Sequence, residues 1–490
     1  MRKLIFIFLI AICNISFAQI RYVATDGSDS GAGTIGDPYL TWQKGIDETE
    51  AGDTLYIRGG VYMSYAIVKI DTTAGYGHSG RINKQILIAG YPADIAVDSW
   101  PILDCKLHCD SIPDPGWNIY NAGIYLNEVE YITLKCLEIR NVFQCDSVLN
   151  GAITGLNTKC VTFERLRVHD VGQRGFWVQS GAWSYADSAH AVDNYGVSPS
   201  AATPIFSQPD TTQWINCDVW NCMDTLRTLP NQGNGGDAWK TISYNGNYQY
   251  FEGCRAWNYS DDGYDPNNGK RKFKDCWAMA SNKYAGFAGF EGNGFKTSSL
   301  RLDVLAFYTP ADSAQIVNDS MVITENCLSL YGGEVGFYHG LESDSTDNAR
   351  WYNNTAYKNG IGFSSRKYDD AAIGDIFRNN ISYESTSLNG SGDPYNVASY
   401  CLYEESNNSW VGLTGYPWEQ DNPAFTITDA DFQTVDSAAL VALFIAPRQA
   451  DGSLPTNRPM MLASTSDLID GGIDVGLPYN GTTPDLGYSE

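Results

Sequence analysis

The sequence predicts an all-β chain wound as a parallel β-helix, with a short helix capping its N-terminal end. Three observations predict it. Short segments of alternating polar and apolar residues recur through the middle of the chain. Nothing between them has the length or the 3.6-residue period of a helix, which disfavours a βαβ sheet. Charge is sparse, at 18% of 490 residues, while Gly (48) and Tyr (31) are abundant, a composition poorly suited to long charged helices.

The chain begins with Arg2 and Lys3, an apolar run from Leu4 to Ile12, then Ser16 and Ala18 before Gln19. This is the order of a secretory signal peptide, here residues 1–18. The run is shorter than the ~20 residues a membrane span needs. The expectation is an exported chain without a membrane span, whose residues 19–490 form a single β-helix domain.

Residues 21–62 read as a cap. One helix, Trp42 to Glu50, is expected between strands Tyr22–Ala24 and Thr54–Arg58. It would cover the open edge of the first coil.

The repeat follows. It reads LKCLEIRNV from Leu134, FERLRVHDV from Phe163, INCDVWNC from Ile215 and EGCRAWNYS from Glu252. It continues as KDCWAMASN from Lys274, ENCLSLYGG from Glu325, NNTAYKNG from Asn353 and NNISYES from Asn379. Aligned positions are Cys136, Arg165, Cys217, Cys254, Cys276, Cys327, Thr355 and Ile381, with steps of 29, 52, 37, 22, 51, 28 and 26. Steps of 22 to 29 read as one coil, 37 as one coil with a long loop, and 51 and 52 as two coils. Segments 184–213 and 300–320 interrupt the pattern and read as long loops. Strands of successive coils would stack ~4.8 Å apart.

Of 12 Cys, Cys13 leaves with the signal, so 11 remain and full pairing within one chain is impossible. Cys217, Cys254, Cys276 and Cys327 are expected as buried thiols stacked on an inward face. Cys105 with Cys109, and Cys217 with Cys222, are close enough in sequence to close small disulfide loops. Residues 430–446 read as a short helix or strand, and the turn-rich C-terminal residues are expected to lie along the solenoid.

Chemistry concentrates between residues 231 and 301. Asp237 precedes Asp261 by 24 residues, about one coil. Stacking would bring it beside Asp261, Asp262 and Asp265. Four converging carboxylates repel unless a cation binds them, and hard oxygen ligands suit Ca²⁺. Taken alone, S-D-D-G is an ordinary turn sequence; the one-coil spacing of Asp237 favours the metal. Lys296, in G-N-G-F-K, lies one coil further on, where a bound cation would favour its neutral, basic form. Its two glycines would let another molecule approach the backbone.

The net charge of −25 argues against nucleic acid as a partner. Yet Asp237–Arg301 holds nine basic and seven acidic residues, a window of +2. Lys240, Arg255, Lys270, Arg271 and Arg301 are its candidates for binding an acidic ligand; the default reading of KRKFK at 270–274 is a solvated turn. The five His are scattered, and no zinc spacing, nucleophile elbow, phosphate loop or dinucleotide fingerprint is present. Paired acids of a glycosidase remain open.

The stretch NGGDAWK…GCRAWNYSDDGYD…GNGFK resembles the signature of polysaccharide lyase family 9, and both ends of the mature chain are similar to that family. The resemblance implies a right-handed parallel β-helix of the pectate lyase kind. It implies Ca²⁺ ligands at Asp237, Asp261, Asp262 and Asp265 and a catalytic base at Lys296. It further implies a secreted, Ca²⁺-dependent lyase that cleaves an acidic polysaccharide by β-elimination, with pectate first and rhamnogalacturonan second as substrate. The chain departs from the family pattern at Gly-Gly-Asp-Ala-Trp around Asp237, at Tyr264, and at Thr297, Ser298 and Ser299 after the lysine. A monomer is expected. The alternative from another class is a non-catalytic β-helix that binds polysaccharide.

Overall fold

The computed structural model describes residues 18–106, 120–144, 149–180, 211–224, 235–243, 248–267, 269–280, 292–298, 321–340, 348–365, 376–385, 404–406, 409–410 and 427–488. The expected signal segment, apart from Ala18, and most of 184–213 and 300–320 lie outside these residues, as do Cys109 and Arg301.

The strands wind as a parallel β-helix with three faces. One face is an 11-stranded sheet that includes Asp218–Cys222, Arg255–Tyr259, Trp277–Met279 and Leu328–Leu330. The other two faces join into a 20-stranded sheet through the long strand Leu149–Glu164. Its first half pairs with Arg174–Ser180 and its second half with Thr211–Ile215, with the register shifting between Gly155 and Thr158. Every pairing between named strands is parallel, because each coil returns to the same face in the same direction. Among the described residues no helix is long and apolar enough to cross a membrane.

Most strands of the repeat are preceded by a residue in the left-handed conformation. Asn216, Asp275, Asn326, Asn353 and Asn379 all have φ between 53° and 59°. Asn and Asp tolerate this left-handed conformation better than most side chains, so they mark these five bends into strands of the 11-stranded sheet, while Gly253 takes the same conformation before Cys254. The next residue then points inward. The inward column is Leu137, Leu166, Cys217, Cys254, Cys276, Cys327, Asn354 and Asn380, each one residue ahead of the paired positions Glu138, Arg167, Asp218, Arg255, Trp277, Leu328, Thr355 and Ile381.

The sequence alignment therefore needs two corrections. Cys136 and Arg165 lie on the left-handed bend, at φ 54° and 53°, and Thr355 and Ile381 lie one position past the column. Steps of 51 and 52 are single coils, because Arg167 pairs directly with Asp218 and Trp277 with Leu328. Between bends the strand keeps its register however long the connecting loop is, so step length does not count coils.

The four stacked cysteines are buried free thiols, and burial pushes the Cys217 and Cys276 thiols up. Cys105 and Cys222 are also free, so the sequence's disulfide alternatives are not formed there. The column ends in asparagines that satisfy the backbone. Asn354 Oδ1 accepts from the Cys327 amide at 3.0 Å, and Asn380 Oδ1 accepts from the Asn354 amide at 3.0 Å.

The interior of the first coils is aliphatic, with Leu55, Ile88, Ile132 and Leu134 buried, and that of the later coils is aromatic. Phe176, Trp239, Tyr264, Phe295, Phe337 and Phe363 form one stack, with successive centroids 4.6–5.7 Å apart. Phe163, Trp214, Phe251 and Phe273 form a second stack with spacings of 4.5–5.5 Å. Edge-to-face contacts join the two, as between Phe251 and Tyr264. Such pairs add about 0.5–1.5 kcal/mol each beyond their buried area.

The cap helix spans Trp42–Asp47, shorter at its C-terminal end than expected, with Thr41 as N-cap and Trp42 and Ile46 buried. The strands beside it are Ile20–Val23 and Thr54–Ile57. Near the C-terminus, Ser437–Phe444 is a helix. Its Leu440 and Phe444, with Leu468, Leu486 and Tyr488, cover Trp277, Leu328 and Ile381 on the outside of the 11-stranded sheet.

Candidate active site

The predicted carboxylates meet on the face formed by Arg174–Ser180, Trp239–Ser243, Asp262–Asn267 and Asn293–Ser298. Here only Ser260 and Asp261 of the S-D-D-G-Y-D segment form a bend. Asp262 onward is a strand, held in register by Trp239 opposite Tyr264 and Lys240 opposite Asp265. The inward-facing aromatics drive this choice: Trp239, Tyr264 and Phe295 stack in the core and thereby turn Lys240, Asp265 and Lys296 outward.

Two glycines let the coils close up. A Cβ on Gly263 would lie 2.6 Å from the Gly294 carbonyl oxygen, and one on Gly294 would lie 2.5 Å from that of Gly336. The glycine in G-N-G-F-K thus accommodates the next coil of the same chain, rather than leaving its backbone open to another molecule.

Asp237, Asp261, Asp262 and Asp265 are all buried. Asp237, Asp262 and Asp265 each offer a carboxylate oxygen, and these oxygens lie within 4.8 Å of one another. Asp261 stands outside this trio; its Oδ2 accepts a 2.5 Å hydrogen bond from the Gly235 amide. The Asp262 amide donates to Asp237 Oδ1 at 3.3 Å. Burial pushes the Asp237 carboxyl above its usual pKa, against the pull of the nearby Arg174 and Lys240 charges.

Two lysines face the cluster. Lys240 Nζ contacts Asp265 Oδ2. Lys296 Nζ lies 3.0 Å from Asp262 Oδ2, and its side chain remains about a quarter exposed. Sequence reasoning missed two further neighbours. Arg174 Nε donates to Asp237 Oδ2 at 3.3 Å. Asn293 Nδ2 donates to Asp262 Oδ1 at 2.8 Å while its Oδ1 accepts from the Val335 amide, which fixes the Asp262 carboxylate. Arg174 lies 63 residues before its partner, across a long insertion, so step counting could not reach it. Asn293 was in plain sight, three residues before Lys296 in the same strand.

The other basic candidates are not brought to the carboxylates. Arg255 is on the 11-stranded sheet, where its guanidinium binds Asp218 and the Phe444 and Ala446 carbonyls. It ties down the C-terminal segment and is buried, so it is not presented to a ligand. KRKFK is the strand Lys270–Lys274, not a turn, and it lies on a different face from the carboxylates. Arg271 points inward, fully buried, and donates to the Pro266 carbonyl at 3.1 Å. Lys270 is half-buried at the start of that strand.

The trio fits a hard cation. Ca²⁺–oxygen distances of about 2.3–2.6 Å set the span of ligands around one ion near 5 Å, the span observed here. Asp265 Oδ1 is buried without a hydrogen-bond donor, an arrangement a cation would satisfy. Together the face offers three converging carboxylates with an amine beside them, the amine's side chain a quarter exposed.

A family model described as the Pel9A-like, right-handed β-helix region matches residues 21–380. The chain is 23% identical to pectate lyase L of Dickeya chrysanthemi over 483 residues, covering 97% of this chain and 91% of that protein. The solved structure of pectate lyase Pel9A superposes with a TM-score of 0.61 at 21% identity, covering 97% of each chain. A structure titled rhamnogalacturonan lyase gives 0.61 at 20% identity, over 91% of this chain and 97% of that one. At such identities the structural likenesses speak for the fold alone. The family model spans well over half of the sequence, and on that ground the chain belongs to the Pel9A-like right-handed β-helix family.

Proposed function

We propose that this chain is a polysaccharide lyase that cleaves a polyuronate by β-elimination in the presence of Ca²⁺, with pectate as its leading substrate. The observation that carries the proposal is Lys296, set on the strand beside three converging carboxylates and 3.0 Å from one of them. Membership of the family and the 23% identical pectate lyase L support the reaction class. The N-terminal run Leu4 to Ile12 supports export, where such a polymer would be met.

Asp237, Asp262 and Asp265 would hold the cation, with Asp261 in support. Bound there, Ca²⁺ would supply charge neutralisation for a substrate carboxylate and so acidify the adjacent C5–H. Asn293 holds Asp262 in place for this role. Lys296, on the neighbouring strand and a quarter exposed, is the side chain placed to act as the general base. Its nitrogen takes the C5 proton, the C–H electron pair becomes the C4=C5 double bond, and the C4–O bond breaks. The departing oxygen takes a proton from solvent. Lys240, on the same face, is placed to meet a substrate carboxylate once Asp265 is engaged.

The test is ultraviolet absorbance of the new double bond during incubation with polygalacturonate, rhamnogalacturonan and alginate. Activity on at least one polymer, abolished by chelator and restored by Ca²⁺, is expected. No absorbance on any of them with Ca²⁺ present would leave a polysaccharide-binding β-helix as the better reading.

A further inference from the structure

We infer that Arg174 is the residue that reads a uronate carboxylate beside the catalytic position, and so sets the preference for an acidic over an esterified polymer. The inference rests on the polyuronate lyase reading above.

Arg174 opens the strand Arg174–Ser180, one coil before Asp237. Phe176 pairs with Trp239, so counting back two residues on each strand sets Arg174 beside Asp237. Asp237 lies in turn beside Asp262, its Oδ1 accepting from the Asp262 amide. Arg174 therefore heads the row of carboxylates along the face.

Its bonding is incomplete in a way that points to a ligand. Its Nε donates to Asp237 Oδ2 at 3.3 Å. Nη1 is buried and has no hydrogen-bond partner among the described residues. A guanidinium presents five N–H donors in a rigid fork, and a carboxylate matches two of them at once. Trp177 holds the plane of the group, with Arg174 Cζ 4.8 Å from the ring centroid. About a tenth of the side chain is open to solvent, so the fork is reachable at its edge. A purely structural arginine would be expected to bond more fully, as Arg255 and Arg448 do elsewhere in this chain.

An acidic polymer lying along this face would cross the coils in turn. The carboxylate of one uronate would sit at the Asp237–Asp262–Asp265 site, and that of an adjacent uronate at Arg174. A methyl ester would lose one acceptor oxygen and the charge, so esterification at that position would be penalised.

Arg174→Gln and Arg174→Lys test this. Elimination on polygalacturonate and on its methyl-esterified form should be measured across a range of Ca²⁺ concentrations that extends well above wild-type saturation. Tetragalacturonate binding to Lys296→Ala, with and without Arg174→Gln, should be measured by calorimetry. Arg174→Gln is expected to raise KM on polygalacturonate about tenfold or more and to weaken tetragalacturonate binding similarly, with kcat less affected. The preference for the free acid over the ester should shrink, and Arg174→Lys should restore part of it. The melting temperature identifies a variant that merely fails to fold, and Arg174→Lys then carries the test. Unchanged KM, or a KM defect that vanishes on adding more Ca²⁺, would mean that Arg174 only positions Asp237. Wild-type protein inactive on every polyuronate would overturn the lyase reading instead, a separate outcome.

Discussion

Lys296 Nζ and Asp262 Oδ2 lie 3.0 Å apart across adjacent coils, the lysine a quarter exposed and the aspartate fully buried. The pair couples the two parts of the site. Asp262 belongs to the carboxylate trio, and Lys296 faces outward from the neighbouring strand. Removing one partner should therefore affect chemistry and metal binding separately.

Lys296→Ala is expected to abolish turnover, by at least ~100-fold if the amine acts as the general base. Ca²⁺ binding, read by calorimetry, should persist, because the lysine contributes no oxygen ligand. Near-normal absorbance change from this variant would remove Lys296 from the role of base.

Asp265→Asn is expected to weaken Ca²⁺ by at least about tenfold, since even the outer partners of a metal site cost that much. Lys240 contacts Asp265 Oδ2, while Asp265 Oδ1 is buried without a donor among the described residues, which leaves one oxygen of the carboxylate for a cation. Unaltered Ca²⁺ affinity in this variant would place the ion elsewhere.

The Asp218–Arg255–Arg448 group predicts a stability effect away from the site. Arg448 Nη2 donates to Asp218 and to the Cys217 and Gly253 carbonyls, while Arg255 reaches the Phe444 and Ala446 carbonyls. Arg448→Ala should cost about 3–5 kcal/mol, as breaking a buried pair usually does, because it leaves polar groups uncompensated. Thermal denaturation measures the loss.

The same group fixes a pH dependence. Burial alone would raise the Asp218 pKa, but the Arg448 and Arg255 charges overcome it and hold the carboxyl well below the usual carboxylate range. A depressed native pKa stabilises the fold above the unfolded value, near 3.9, and the contribution fades as pH falls below it. Asp218→Asn should therefore destabilise the protein at neutral pH and flatten its stability curve below about pH 4. An identical acid limb in wild type and variant would contradict this assignment.

Much of the fold was legible because a β-helix repeats its constraints locally. The left-handed bends favour Asn, Asp or Gly, and the residue after each bend is uncharged and stacks inside, so Asn216-Cys217, Asp275-Cys276 and Asn326-Cys327 are readable in one dimension. The Asp-Asp-x-x-Asp spacing and its lysine were legible for the same reason: each sits at a fixed offset from an inward aromatic. Coil count was less legible. Insertions between bends change the step without changing the register, which is why steps of 51 and 52 suggested a second coil.

By itself the sequence determined the β-helix, the inward cysteine column, and the set Asp237, Asp261, Asp262, Asp265 and Lys296 as candidates for one place. Only the tertiary structure decided which charged groups meet. It joined Arg174 to Asp237 across 63 residues and Asn293 to Asp262 across 31, and it sent Arg255 to Asp218 on another face. The physical reason is that backbone bends and inward packing are encoded residue by residue. The pairing of outward side chains depends instead on which coils become neighbours and which of the three faces each strand occupies.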